Sequence, residues 1–600
     1  MAASLHEHLW SLNAEEMKMW LKQVGAWDKA LKNKSDYVAA IKARLGAGLP
    51  DFVAKLSEAE RNWLAESVHQ GRLIGEREYE ARFGGPCPMP KGYYNYNEVR
   101  SLLVPLIAFP RYDSEGEPEL VTDLRGPLRE LLSQPAARRI KTRPRLPKSW
   151  PHEQQCEGGD KIRAVHVHEG ERIAPAELSR VLRLIHGGKV KVTDSNRRST
   201  DATTRLLGEI LVVPDFALEP PKSEVDRWTQ EGGAVRAHAW GVLVQQCGWA
   251  KAQRGELKLT TEGQAMLREF TPDAFRAGVA RFLADGDFDE LHRINHIRGQ
   301  TGKGRRWISD PGLRKTSLNS ALDGLPIGEW LDYEEVYRVA VASGEEWDVL
   351  TEDAGVLYFA ELQYGVINDL GGLNSQYLRA LLLESFATLG LIDVGYVYPH
   401  SRWPDLSDSW GIDSLSYCGR YDGLLYVRLN PLGAYALGYA ERYEAAISAG
   451  PKALQVLPSL EIRATIGSLN AADCAMLELM ASRRDEQVWR LDQERILSHV
   501  EAGGAMAGLR QFLEHNAEGG LPEEVATCLA AIELRIGAFK RARDAVLIEW
   551  EDEQLARYLA GESSTTALCH HAGGDRLVVP KEQLPAFRRA VRKLGFVVRA

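Results

Sequence analysis

The chain is 600 residues long, 44% hydrophobic and 26% charged, with a formal net charge of −9. A single hydrophobic core stops growing near about 250–300 residues, so several domains are expected, and the composition excludes fibrous, disordered and membrane-embedded classes. No run approaches the roughly 18 apolar residues of a membrane helix, and "MAASLHEHLWSLNAEE" has neither a basic start nor an apolar signal core, which points to a cytoplasmic protein. The seven cysteines include no C-x-x-C pair, against both a disulfide framework and a zinc ribbon. In "LCHHAGGD", Cys569, His570 and His571 are adjacent, a spacing that suits a solvated turn better than a metal. No metal and no cofactor is expected.

In chain order, residues 1–75 read as short helices. "AEEMKMWLKQVG" spaces Met17, Trp20, Leu21 and Val24 helically, and "KSDYVAAIKARLG" does the same with Tyr37, Val38, Ile41 and Leu45 behind Ser35 as N-cap. Two helices joined by a lysine-bearing turn are similar to a SAP-type nucleic-acid-binding hairpin. The pattern equally fits a plain helical hairpin. Residues 76–150 contain a buried run, "VRSLLVPLIAFPRY", and a proline-stopped helix, "LRGPLRELLSQP". They end in "AARRIKTRPRLPKSWP", whose prolines and bases Arg138, Arg139, Lys141, Arg143 and Arg145 suggest an extended surface segment.

Residues 151–290 repay closer reading. "APAELSRVLRLIHGG" predicts a helix, "KVKVTD" a strand, and "DATTRLLGEILV" a helix capped by Ser199 or Thr200. Lys189, Lys191, Arg197 and Arg198 flank the turn, with Arg205 near the helix start. A polar helix N-terminus behind a basic turn is how helix-turn-helix units meet DNA, and it also fits two helices merely packed together. "ELKLTTEGQAML" then predicts a strand and a helix. Residues 291–450 repeat that design. Leu257, Leu259, Thr260, Gly263 and Leu267 answer to Val427, Leu429, Asn430, Gly433 and Leu437. Helix "NSQYLRALLLESFATLG" precedes the second strand pair, and a helical stripe is expected from Trp330 through Leu331, Val336 and Val339. The fold class is therefore mainly α (α+β): tandem winged-helix modules followed by a small C-terminal α/β module.

Two windows are basic against the acidic whole. Residues 136–205 hold sixteen Lys and Arg against eight Asp and Glu, and residues 291–315 hold seven against one. Such surfaces suit phosphate contacts, or a solvated face without a partner. The second window contains "HIRGQTGKGRRW". It lacks the first glycine and the final hydroxyl of a nucleotide phosphate loop. Arg298, Lys303, Arg305, Arg306 and Trp307 around three glycines suit either an electrostatic clamp, with Trp307 stacking on a base, or a hinge.

In residues 451–600, "ALQVLPSLEIRA" predicts a strand. Trp489, Arg490, Leu491, Ile496, Gly503, Leu509, Phe512, Leu513, Leu521, Pro522 and Val525 follow in an order that resembles the N-terminal domain of XPB-type helicases. The resemblance implies a helicase-associated bacterial protein and carries over no catalytic residue. No complete Walker loop, zinc-hydrolase His pair, Gly-x-Ser-x-Gly elbow or nuclease constellation is present, so no enzyme is expected. These readings combine into a DNA-binding accessory protein with a separate helicase or nuclease partner, in DNA repair or phage defence. The alternative is a protein-interaction scaffold or transcription regulator.

Overall fold

The structure is a computed structural model that describes residues 4–89, 101–108, 118–152, 161–216, 233–299, 307–351, 357–359, 370–399, 417–444, 453–465, 469–501, 504–536 and 544–598. Helices dominate and the sheets are small and antiparallel, so the chain is mainly α with an α+β character. It divides into two compact units, one of Met1–Pro451 with Gly467–Leu477 and one of Lys452–Ile466 with Glu478–Ala600.

The first unit opens with a helical bundle: α1 (Leu5–Ser11), α2 (Ala14–Gln23), α3 (Lys34–Leu45), α4 (Leu49–Val53), α5 (Glu58–Gln70), α6 (Glu76–Phe83) and, after the short strands β1 (Ile107–Ala108) and β2 (Glu119–Leu120), α7 (Thr122–Leu131). The expected stripes Met17, Trp20, Leu21 and Tyr37, Val38, Ile41, Leu45 are buried in one core that also takes Leu106, Leu124 and Leu128. Helix α3 starts two residues earlier than expected. Asn33, not Ser35, is its N-cap, because Asn33 accepts from the Asp36 amide while the Asp36 carboxylate accepts from the Asn33 amide. Such a reciprocal cap satisfies two amides that a cap at Ser35 would leave open.

Next come β3 (Ser149–His152), β4 (Lys161–Ala164), β5 (His166–His168) and α8 (Gly170–His186). A first repeat follows. Residues 190–192 form a short bridging segment in place of the expected strand, then come α9 (Asp201–Glu209), α10 (Arg236–Gln246) and the hairpin β6 (Ala250–Gln253) and β7 (Glu256–Leu259). The segment lies beside β7: the Leu257 amide donates to Val190 O at 3.0 Å and the Val192 amide to Gly255 O at 2.9 Å. Helices α11 (Thr261–Arg268) and α12 (Pro272–Ala284) and strand β8 (Ile297–Arg298) lead into a second repeat. It comprises α13 (Pro311–Ala321), β9 (Trp330–Asp332), α14 (Tyr333–Ala342), then, after β10 (Tyr358–Phe359), a third helix and the hairpin β11 (Ile392–Tyr396) and β12 (Leu424–Leu429), with α17 (Pro431–Leu437) behind it. The third helix is α15 (Leu370–Ala380), a π-helical stretch Leu381–Phe386 and α16 (Ala387–Leu389). Its sheet runs β5-β11-β12-β9. Trp330 and Leu331, expected on a helix, are strand residues instead. Leu331 pairs with Val427, which fills the place that residues 190–192 fill in the first repeat.

The two repeats agree atom by atom where the hairpin meets its exit helix. Gly248 and Gly390 both hold positive φ, 74° and 77°, at the turn into the hairpin. Thr260 Oγ1 donates to Gly248 O at 2.7 Å and accepts from the Gly263 amide at 3.0 Å. Asn430 does both at 2.9 and 2.8 Å, to Gly390 O and from the Gly433 amide. A Cβ on Gly263 would lie 1.8 Å from Trp249 O, and one on Gly433 would lie 1.7 Å from Leu391 O. The glycines expected to correspond do so because each lets its helix touch the same backbone carbonyl.

Helix α18 (Ala471–Glu478) closes the first unit against α8, with Arg183 paired to Asp473 and Ala475 facing Gly187. In the second unit, β13 (Leu454–Val456), β14 (Glu461–Ala464), β15 (Ala481–Asp485) and β16 (Val488–Leu491) form a sheet in the order β13-β14-β16-β15. The expected single strand over "ALQVLPSLEIRA" is thus a hairpin, turned at Leu460 with φ 67°. Trp489, Ile496, Leu509, Phe512, Leu513 and Val525 are buried, on β16, α19 (Gln493–Glu501), α20 (Met506–Asn516) and α21 (Glu523–Ile536), while Gly503 lies outside the described residues. The chain ends in β17 (Ala545–Glu549), α22 (Glu553–Gly561), β18 (His570–His571), β19 (Arg576–Pro580) and α23 (Leu584–Lys593). Cys569 is buried against Thr565 O and Leu559 O, and His570 and His571 form an edge strand on β19 rather than a turn.

Changing Gly263 or Gly433 to Ala is expected to destabilise the first unit by about 1–3 kcal/mol or more, because backbone, not a movable side chain, occupies the site. Gly508→Ala in α20, with open space around it, should stabilise by about 0.5–1 kcal/mol instead. Urea unfolding of the three variants checks both signs.

Candidate nucleic-acid interface

The basic residues named from sequence separate into distinct settings. Arg138, Arg139, Lys141, Arg143 and Arg145 are exposed on an extended strap, as expected of that segment. The strap is fastened along its length. The Arg138 amide donates to Arg82 O at 2.8 Å, the Lys141 amide to Glu335 at 2.8 Å, and residues 143 and 330 exchange backbone hydrogen bonds. Arg143 itself grips Asp332 at 2.9 Å and lies over the Tyr426 ring, so its guanidinium is engaged within the protein. Leu146, Trp150 and Val165 pack with Trp330, Val397, Leu425 and Tyr426. The strap therefore covers the outer face of the second repeat's sheet.

Around the first repeat, Lys189, Lys191, Arg197 and Arg205 are exposed and Arg198 is half-buried. Arg197 pairs with Asp287 and lies over Phe288. Lys191 meets Glu256 across the sheet. Glu256 also takes Lys258 at 2.8 Å, and the hydrogen bonds from Lys191 and Lys258 hold its carboxyl down at about 2. The exposed face of this sheet carries Lys191, Lys251 and Lys258 with the acid Glu256, and exposed Arg254 stands at the hairpin turn, φ 53°, where Asp194 lies beside Gly255.

The decisive comparison is positional. Lys251 stands directly opposite Lys258, and the matching pair in the second repeat is Asp393 opposite Arg428. Arg428 grips Asp393 at 2.7 Å and stacks on Trp330. Like charges directly opposite on antiparallel strands oppose folding, whereas opposite charges support it. The second repeat thus neutralises and covers its sheet face, and the first leaves a repelling, open one. Sequence reasoning missed Lys251, Arg254 and Lys258. Their signal was the "AKAQRGELKL" alternation, which puts both lysines on one strand face.

The glycine segment is anchored at both ends. Arg298 lies in β8, paired with Tyr358 and donating to Asn295 O at 2.6 Å. Trp307 is half-buried with φ 46°, and its carbonyl accepts from the Thr351 amide at 2.7 Å and hydroxyl at 3.0 Å. Lys303, Arg305 and Arg306 lie outside the described residues.

Helix-turn-helix proteins read bases with an exposed helix. Here α10 has no exposed residue and α15, the π-helical stretch and α16 are buried almost throughout, because the third helices of the two repeats pack on each other. A cavity of about 20 Å³, room for one water, lies at that seam among Arg198, His238, Gln246, Asp289, Glu290, Arg293, Glu384 and Ser385. Ser385 donates to Glu290 at 2.7 Å, and Glu384 takes Arg293 at 3.2 Å and the Tyr421 hydroxyl. Burial raises the Glu290 carboxyl. Burial also drives His238 down to about 4, and nearby Arg293 adds to the shift. Among the described residues no group of three or more His, Cys, Asp and Glu side chains could hold a metal ion, and no helix is long and apolar enough to cross a membrane. Compared with protein-family models and with curated protein sequences, the chain matches none.

The depressed His238 contributes stability that is present above about pH 6.5 and lost as pH falls toward 4, and His8, also held near 4, acts in the same direction. Glu290 has the opposite sign, its contribution being lost as pH rises. The first unit should therefore lose urea resistance between pH 6.5 and 4, and His238→Gln should flatten that loss. Tryptophan-fluorescence melts at four pH values measure it.

Proposed function

We propose that the chain is a non-enzymatic DNA-binding protein whose first repeat holds the phosphate backbone through the exposed face of its sheet. The observation that carries this reading is the register that sets Lys251 opposite Lys258, two exposed cations beside the Glu256 carboxylate, where the other repeat places Asp393 and Arg428. A polyanion removes the repulsion between the two lysines when it binds. The order helix, strand, helix, helix, hairpin, with the first strand beside the last, supports a winged-helix plan for both repeats, and the lysine face is then the wing of the first. Since α10 is buried, the contacts are to phosphates rather than base edges, so binding is expected to depend steeply on salt and little on sequence.

The likeness of residues 454–600 to an XPB-type helicase N-terminal domain supports a separate helicase or nuclease as partner, in DNA repair or defence against foreign DNA. A scaffold or regulator role is the second reading, favoured by the burial of both third helices. It requires a complex that survives nuclease digestion.

Lys251→Glu separates these readings through opposite signs. It recreates the Asp393–Arg428 arrangement and should stabilise the first unit by about 0.2–1 kcal/mol. It should also weaken DNA binding and flatten the salt dependence by about 1 per lost phosphate contact. Fluorescence anisotropy with a labelled duplex at several salt concentrations measures binding. Unchanged affinity alongside raised stability would refute the wing as the DNA surface. Purified protein is also expected to show no ATP turnover, and turnover abolished by Lys303→Ala would overturn the non-enzymatic reading.

A further inference from the structure

The C-terminal helix α23, "LPAFRRAVRK", holds Phe587 and Val591 fully inside the module's core and turns Arg588, Arg589, Arg592 and Lys593 to solvent. It contains no acidic residue. Among the described residues, none of the four cations has an ion-pair or hydrogen-bond partner. Of the module's acids, Glu582 lies just before the helix start, Glu549 on β17 holds Arg576 at 3.1 Å, and Asp552 and Glu553 open α22.

Arg588 and Arg592, and Arg589 and Lys593, are four apart and so face one another along the helix as like charges, which weakens it. The macrodipole favours the last-turn pair Arg592 and Lys593, but not Arg588 and Arg589 near the middle. Among the described residues no ion pair offsets this repulsion. Four residues rise about 6 Å along a helix, close to the rise of two nucleotides, about 3.4 Å each, along the duplex axis.

We propose that the exposed face of α23 is a second phosphate-backbone surface for duplex DNA, carried by a different unit from the lysine face of the first repeat, so that one chain grips DNA at two places. The inference rests on the DNA-binding reading above. Two linked weak contacts bind far more tightly than either alone, provided the duplex is long enough to reach both.

The test is binding of the full chain to a 40-base-pair duplex across a salt series, comparing the natural protein with Arg588→Gln/Arg589→Gln/Arg592→Gln/Lys593→Gln. The variant should lose affinity at least tenfold, and its log K against log salt slope should flatten by up to about 3.6, since each phosphate contributes about 0.9. Arg588→Lys/Arg589→Lys/Arg592→Lys should keep the slope, because point charges suffice for backbone contacts. The double variants Arg588→Gln/Arg592→Gln and Arg589→Gln/Lys593→Gln each relieve one repulsive pair. They should fold at least as stably as the natural protein and divide the loss between them. A natural protein that binds DNA with a slope the quadruple variant shares would overturn the inference and leave the first-repeat reading intact. No DNA binding by the natural protein would remove both. An unchanged slope with loss of a nuclease-resistant acidic protein partner would also overturn it.

Discussion

Helix α10 and the helix from α15 to α16 pack on one another, and the rest of the first unit is arranged around that contact. Trp240, Leu243 and Val244 from one side and Leu381, Leu382 and Phe386 from the other are removed from water almost completely. Apolar burial of this extent is worth about 1.5–3 kcal/mol per fully buried side chain, and it is available only if each helix gives up its outward face. At the seam Glu384 takes Arg293 and Ser385 donates to Glu290, whereas Gln246 Nε2 and Glu290 Oε2 are buried without a hydrogen-bond partner among the described residues. Arg236 meets Glu177 with both side chains essentially inaccessible, Trp240 Nε1 donates to the same carboxylate at 3.0 Å, and Arg314 meets Asp289 at 2.7 Å. Removing one partner from such a pair costs far more than the pair contributes, so each pair fixes the elements it joins, α8 to α10 for Glu177 and Arg236.

Once the third helices are committed to each other, their sheets and exit helices are what the repeats have left to present. The second repeat covers its sheet with the strap and adds β5 to the edge, so that its hairpin becomes interior structure. The N-terminal bundle is fastened to the same repeat: Arg82 donates to Ala342 O at 2.7 Å and Arg338 to Ala81 O at 2.8 Å. Among the described residues the first repeat has no such cover, and Lys251 and Lys258 are exposed. Two copies of one plan have thus been put to different use by a handful of side chains.

Much of this was legible in the sequence. The stripes of the bundle, the hairpins, and the correspondence of Thr260 and Gly263 with Asn430 and Gly433 follow from periodicity and spacing, which local physics sets. What was not legible depends on distant partners. Trp330 and Leu331 have helix-compatible neighbours, and only pairing with β12 makes them a strand. Arg143 looked like a phosphate ligand because Asp332, 189 residues away in sequence, cannot be placed beside it from sequence alone. The burial of α10 was hidden for the same reason, since its partner lies more than a hundred residues downstream.

Charge shows the same division between local and distant information. The chain is acidic overall, at −9, and its windows of excess base were the natural places to seek a nucleic-acid surface. Inside those windows, however, Arg143, Lys191, Arg197, Arg293 and Arg314 are each matched to a carboxylate, so a local excess of base is not by itself a free basic surface. Lys251 and Lys258, opposite one another with Lys258 also held by Glu256, and the four cations on α23 lie outside the windows. A count along the chain registers abundance, whereas phosphate recognition depends on exposed cations that the fold sets next to one another. Register on a strand and four-residue spacing on a helix identify such cations, because those two periodicities decide which charges stand side by side.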